Sequence, residues 1–414
     1  MALPDAGRPA TNILSELESF RARDVRWREG RAFTLAYYAG EGVAEVQEQA
    51  YSAYLSENGL NTDAFPSLRV LQNDVVDTVS TWLNGSPTAA GFLTSGGTES
   101  ILLAVRAARE RGRMERKITT PDMVLPTTAH AAFEKAADYF GVRSIRVPVS
   151  ADWRADPEAM SDAITDNTVL VVASAPQYPQ GVLDPVATIA ALAEAKNIPC
   201  HVDACMGGVT LPFLERLGET IAPWDFRVSG VTSISVDLHK FGYTAKGASV
   251  LLHRSKALRN YQTFVTDNWL GGLYGSSGIL GTKSGGAMAA AWAVMHHLGQ
   301  DGYLELTRRA RTAALALATG IDAIPELTLR ARPDTTLVAF GATQESGVNI
   351  FAVADRLWRT HGWYVDRQGP PESLHCTVNA VHDGCIDAFI ADLNEAIHTS
   401  QGSSGRQGAY GTVE

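Results

Sequence analysis

The chain has 414 residues, 45% hydrophobic and 19% charged, which is enough apolar material for a large core and two or three structural units. A formal net charge of −10 argues against a nucleic-acid or anionic-membrane surface, so any bound anion should be held locally, by a helix N-terminus or a few cations. No apolar run reaches the ~18 residues of a membrane span, the N-terminus lacks the features of a signal peptide, and four widely spaced cysteines read as reduced thiols in a cytoplasmic protein.

Residues 1–29 have amphipathic helical spacing, as do 41–56 and 68–84, so 1–56 is expected to form an N-terminal helical segment. From about residue 90 short apolar runs alternate with helical stretches. The candidate strands are MVLP (123–126), SIRVPV (144–149), VLVVASA (169–175), PCHVDA (199–204), SISVD (233–237) and SVLLH (249–253). Helical patterns lie around and between them in TESILLAVRAARERGR, HAAFEKAADYFG, PVATIAALAEAKN and KSGGAMAAAWAVMHHLG. This alternation predicts an α/β fold, with a mostly parallel sheet covered by helices in a large domain over 57–299. GQDG at 299–302 marks a break. Beyond it a long helix (303–323), the strands TLVAF, WYVDR and HCTVNAV, and a last helix over 384–398 predict a smaller C-terminal α+β domain, 300–399. The Gly/Ser-rich stretch 400–414 is expected to be disordered.

Four features fall near predicted strand ends, where open α/β sheets bind ligands. TSGGTES (94–100) enters a strong helix, and its glycines let backbone N–H groups approach an oxyanion at a helix N-terminus. Ser95 and Thr98 add hydroxyls; a Walker loop is absent. Asp203 ends PCHVDA, where a carboxylate can pair with a heterocyclic nitrogen. Lys240, 37 residues later, ends an apolar run and is a candidate nucleophilic amine. His130, after MVLP, could stack on a ring. Taken singly these read equally well as a capped helix, a strand-end turn, a solvated lysine and a loop histidine. Together and in this order they call for pyridoxal 5′-phosphate, which needs a phosphate cradle, an acidic partner for its pyridinium and a lysine for its aldehyde. The alternative of a metal at Cys200-His201-x-Asp203-x-Cys205 fits poorly. Strand alternation sets Cys200 on the face opposite His201 and Asp203, and a second ligand pair is missing.

Longer stretches carry a resemblance. TSGGTESILLA, HAAFEKAADYFG, HVDACMGG, DFRVSGVTSISVDLHKFGYTAKGAS and NWLGGLYGSSGILGTKSGG resemble the sphingosine-1-phosphate lyase family, fold type I pyridoxal phosphate enzymes related to the group II amino-acid decarboxylases. The likeness runs from about Gly30 to His382. It implies Lys240 as the covalent anchor of the cofactor, His239, Gly97 and Thr98 at its phosphate, Asp203 at the pyridine nitrogen and His130 on the ring face. It also implies a homodimer in which Thr282, standing where Ser is usual, reaches the phosphate in the partner subunit. Lys283 stands where Arg is usual. Tyr37, Asn58, Tyr274 and Lys246 match residues lining the substrate side, with Lys246 and Tyr37 as candidates for the base or for the anchor of an anionic group. The family's N-P-L-H loop reads NGLNTDAFPSL here, so Asn61 replaces a histidine that could carry a proton.

The implied reaction is retro-aldol cleavage of the Cα–Cβ bond of a β-hydroxy amine, such as a phosphorylated sphingoid base, to an aldehyde and an ethanolamine-type amine. Asn61 keeps open an unphosphorylated β-hydroxy amino acid as substrate. The shared T-x-GGTE loop and HK pair keep open amino-acid decarboxylation. The membrane segment of eukaryotic members has no counterpart here, so a soluble protein is expected.

Overall fold

The computed structural model describes residues 3–400, 402 and 404–408. Helices α1 (Ala10–Phe20), α2 (Glu41–Ala53) and α3 (Pro66–Trp82) precede the sheet, the last opening on a proline whose missing N–H would have had no helical partner. The large domain then alternates as the spacing predicts: β1 (Ala90–Thr94), α4 (Gly97–Arg116), β2 (Asp122–Pro126), α5 (Ala132–Phe140), β3 (Arg143–Val147), α6 (Pro157–Ala163), β4 (Thr168–Ser174), α7 (Val186–Ala195), β5 (Cys200–Asp203), α8 (Gly207–Arg216), β6 (Val231–Asp237) and β7 (Ser249–His253). Among the described residues these strands form one sheet in the order β1-β7-β6-β5-β4-β2-β3, and only β7 runs against the rest. Strands β2, β4 and β5 are buried at every position, as the near-continuous apolar runs require of strands covered on both faces.

After β7 come α9 (Lys256–Asn260), a hairpin of β8 (Phe264–Thr266) and β9 (Tyr274–Ser276), and α10 (Gly286–Asp322). The GQDG break is a kink inside α10, where Gly299 takes φ 56° and ψ −169° between two helical halves. The small domain holds β10 (Leu327–Leu329), β11 (Leu337–Ala342), α11 (Ile350–Arg356), β12 (Asp366–Gln368), β13 (Ser373–Thr377) and α12 (Ile386–Thr399), its antiparallel strands ordered β10-β11-β13-β12.

The boundaries differ from those read off the sequence in three places. Tyr303 and Leu306, beyond residue 299, still belong to the large-domain core, and α10 joins the small-domain core only from Ala313. The segment 1–56 is not a unit of its own: Phe33 is buried in the small-domain core, stacked on His382 at 4.2 Å, and donates its N–H to Tyr364 at 2.9 Å. Within the stretch expected to be disordered, Arg406 donates its backbone N–H to Asp355 at 3.2 Å, and Gly405 lies so close to Phe351 and Ala352 that a Cβ would not fit. Residues 409–414 lie outside the described part of the chain.

Candidate active site

Four of the parallel strands end around one cavity of about 380 Å³. Gly97 and Thr98 open α4 after β1, His130 sits between β2 and α5, Asp203 is the last residue of β5, and His239 and Lys240 lie in the turn after β6. Lys246 lines the same cavity from the next turn. Seven positions scattered over 150 residues of sequence thus meet because their strands are near neighbours in one sheet.

Lys240 Nζ lies 2.9 Å from Oδ2 of Asp237, a buried residue that the sequence reading quoted but did not count among the site residues. Its signal was a carboxylate three positions before the lysine at the end of an apolar strand. Burial pushes the Asp237 carboxyl up, but Lys240 and then His239 pull harder and leave it below the usual carboxylate range. The other oxygen, Oδ1, is buried without a hydrogen bond among the described residues.

Asp203 Oδ1 accepts from the Cys205 N–H at 3.0 Å and from the Ser235 hydroxyl at 3.3 Å, which fix the carboxylate's direction. His201, weighed as a metal ligand, has both ring nitrogens on hydroxyls, Ser233 at 2.9 Å and Ser235 at 3.2 Å. His130 Nδ1 accepts the Ala132 N–H at 3.0 Å, so a neutral ring carries its proton on Nε2. Burial lowers the His130 pKa below the ordinary histidine value and keeps the ring in that neutral form. His239 Nδ1 must donate to the Ala248 carbonyl at 2.8 Å, which leaves Nε2 for the cavity.

The TSGGTES turn is built differently from expectation in one respect. The Ser95 hydroxyl and N–H both go to Glu99 Oε2 at 2.7 Å, capping the helix from within, and Glu99 Oε1 takes the Ile279 N–H at 2.7 Å. Gly97 is dictated by space: a Cβ there would stand 2.8 Å from both Asp237 Oδ2 and Cys205 Sγ. The set fits pyridoxal phosphate on its donor chemistry. A 20-residue helix N-terminus with a Cβ-free approach and His239 suit the phosphate, Asp203 suits a pyridinium, and Lys240 beside an incompletely bonded Asp237 suits an aldehyde.

On the substrate side, the Lys246 amine donates to the His239 carbonyl at 3.1 Å and lies 5.0 Å from the centre of the Tyr37 ring. Lys246 is exposed by surface area, yet the protein packed around it, followed by the charge of Lys240, brings its pKa down to about 8. Lys246 also lines an adjoining cavity of about 640 Å³, to which Tyr37 belongs together with Trp27, Leu35 and Trp358. The remaining expected residues are not brought to these walls. Asn58 faces the loop before α10, where its amide donates to the Thr282 hydroxyl at 3.4 Å, and Asn61 Oδ1 closes its own turn on the Asp63 N–H at 2.9 Å. Tyr274 lies in the β8–β9 hairpin, against Trp269. Lys283 turns inward, over the Phe92 ring at 4.2 Å and onto the Leu93 carbonyl.

Residues 1–343 match the family model described as the pyridoxal-dependent decarboxylase conserved domain. The sphingosine-1-phosphate lyase 1 of Rattus norvegicus is 39% identical over 398 residues, covering 95% of this chain and 69% of that protein. The sphingosine-1-phosphate lyase of Oryza sativa subsp. japonica is 38% identical over 424 residues, covering 99% and 78%. The chain belongs to the sphingosine-1-phosphate lyase family. A solved member, the sphingosine-1-phosphate lyase of Burkholderia pseudomallei, superposes with a TM-score of 0.91 at 37% identity, covering 96% of this chain and 92% of that one. The glutamate decarboxylase of Lactobacillus brevis shares the fold, with a TM-score of 0.85 at 21% identity. This member of the lyase family is a pyridoxal phosphate-dependent lyase of the fold type I architecture. Among the described residues no helix is long and apolar enough to cross a membrane.

Proposed function

We propose that this lyase cleaves the Cα–Cβ bond of a phosphorylated sphingoid base, releasing a long-chain aldehyde and an ethanolamine-type phosphate ester. The observation that carries the reading is the wall shared by the two cavities. Lys246 lines both the Lys240 pocket and an open space, walled by Tyr37, Trp27, Leu35 and Trp358, that is able to take a chain. Bound pyridoxal phosphate supplies an electron sink for the breaking bond. Asp203 would keep that sink electron-poor by holding a proton on the ring nitrogen, and neutral His130 would face the ring without adding charge. Lys246, an amine above pH about 8, takes the proton from the Cβ hydroxyl oxygen as that carbon becomes an aldehyde. Lys240, held by Asp237 at 2.9 Å, would supply the proton that Cα takes up.

The test is to give the loaded enzyme phosphorylated and unphosphorylated sphingoid bases and amino acids, measuring aldehyde against carbon dioxide. Aldehyde from the phosphorylated base supports the reading; carbon dioxide from amino acids without aldehyde overturns it. One observation favours a second reading, an unphosphorylated β-hydroxy amino acid. Asn61 is tied into its own turn and offers no titrating group where a histidine would. Asn61→His should raise turnover of the phosphorylated base if the first reading holds.

We further infer a homodimer working in a reducing cytoplasm. Thr282, Asn58, Asn61 and Tyr274 lie away from their own chain's cavity, near a loop that exposes Trp269, Leu270, Leu273, Ile279 and Leu280. A partner's cavity would gather these residues and cover those side chains. The four cysteines are unpaired thiols, in keeping with such a compartment.

A further inference from the structure

A carboxylate that the reaction does not use stands at the junction of the substrate spaces. Asp366, on β12, accepts two hydroxyl hydrogen bonds on one oxygen: Tyr178 at 2.5 Å and Thr34 at 2.7 Å, both to Oδ2. Thr34 lines the cavity that contains Lys246 and Tyr37. Tyr178 and Asp366 line a third cavity of about 500 Å³, and His130 belongs both to it and to the Lys240 pocket. Asp366 therefore borders, from the small domain, a cavity that shares His130 with the Lys240 pocket, and through Thr34 it adjoins the cavity that holds Lys246 and Tyr37. The two guanidinium groups of that cavity are already engaged, Arg146 by Glu134 and Arg367 by Asp355. Among the described residues, the hydrogen bonds to Asp366 Oδ2 come from neutral hydroxyls, which fix its position without cancelling its charge.

The same architecture serves amino-acid decarboxylases, whose substrates carry an α-carboxylate, and an amine-cleaving lyase, whose substrate carries a neutral hydroxylated carbon there and whose amine product carries a hydrogen. We propose that Asp366 is the specificity-determining residue that restricts this site to amines without an α-carboxylate. A second negative charge at Cα would face a fixed one with no cation interposed. Like-charge juxtaposition in a partly desolvated site weakens binding on the order of 100-fold. A ligand lacking that carboxylate escapes the penalty, and its amine is drawn toward the same wall. Exclusion of the wrong substrate by an unpaired charge is a common way of obtaining such selectivity.

The proposal rests on the amine-cleaving reading above, and binding tests it separately from turnover. Phosphoethanolamine and phosphoserine differ only by the α-carboxylate. Each is titrated into the loaded enzyme, following the visible absorbance of the bound cofactor. Wild type should prefer phosphoethanolamine. Asp366→Asn should tighten phosphoserine at least about 10-fold while moving phosphoethanolamine less than about 3-fold. Thr34→Val, which removes one hydroxyl and keeps the charge, should leave the wild-type preference standing. A preference unchanged within about 2-fold in Asp366→Asn, or altered equally by Thr34→Val, overturns the proposal. If neither phosphorylated ligand binds but threonine and 1-amino-2-propanol do, the phosphorylated-substrate reading fails. The ratio for that second pair then decides the role of Asp366 by the same criterion.

Discussion

Replacing Gly97 by alanine adds one methyl group where the chain has no room for it. The Cβ would stand 2.8 Å from Asp237 Oδ2 and 2.8 Å from Cys205 Sγ, about 1 Å inside ordinary contact with both. Neither neighbour can swing away: both are buried at strand ends, and Asp237 is tied to Lys240 at 2.9 Å. The clash must be relieved by lifting the first turn of α4, whose N–H groups are the proposed phosphate cradle. Overpacking of this kind costs about 1–3 kcal/mol. If that cost falls on the cofactor-bound form, cofactor affinity drops roughly 5- to 150-fold, at about 1.4 kcal/mol per factor of ten. The assay is titration of cofactor-free protein with pyridoxal phosphate, read by absorbance, with Gly96→Ala as the control because its Cβ meets only His239 at 3.7 Å. Gly97→Ala binding within 2-fold of wild type, in a protein that still folds, would refute the claim that α4's first turn holds the phosphate.

Lys246 is an ammonium below pH about 8 and an amine above it, so kcat/KM should rise with pH through that region; Lys246→Arg should abolish the rise and lower the rate about 100-fold or more. A pH profile that falls through the same region would instead assign Lys246 to anchoring an anion. Asp237→Asn removes the carboxylate 2.9 Å from the Lys240 amine and should destabilise the cofactor-free protein by about 3 kcal/mol, the low end for a buried pair because Lys240 is 19% exposed. Equilibrium denaturation checks this, and a loss under about 1 kcal/mol would mean that the pair holds nothing. If Thr282 and Asn58 serve the partner's site, Lys240→Ala subunits mixed with Asn58→Ala/Thr282→Ala subunits should recover activity that neither has alone. No gain after demonstrated subunit exchange would rule out the shared site.

The buried half of this protein was the legible half. SVLLH forms β7 over the expected residues, and the other central strands agree to within about two residues at each end, because continuous apolar runs have few alternatives. Strand β1 was missed: AGFLT is short, contains a glycine and is only partly buried. The tiny strands β8, β9 and β10 carry no periodic signal over three residues. GQDG correctly marks a disturbance at Gly299, but a kinked helix and a domain boundary have the same signature in sequence. The packing of Phe33 into the small-domain core depends on contacts some 350 residues away, which local pattern cannot contain.

The same division runs through the site. Gly97, Asp203 and Lys240 sit on or beside strand ends whose positions follow from the sheet, so chain order and residue type suffice to group them as the candidates that line one cavity. Tyr37, Asn58, Asn61, Tyr274 and Thr282 ride on loops and a hairpin, and their location depends on what packs against those loops. Asp237 and Asp366 were both visible as residues, yet their roles depend on distances: one on a lysine 2.9 Å away, the other on two hydroxyls donated by segments about 190 and 330 residues distant. The cofactor half is thus fixed by the core, while the substrate half can change without disturbing it. Asn61 in place of histidine alters no buried contact, and Asp366 can exclude a carboxylate without touching Lys240. That separation gives a physical reason why one fold and one cofactor pocket serve both lyases and decarboxylases.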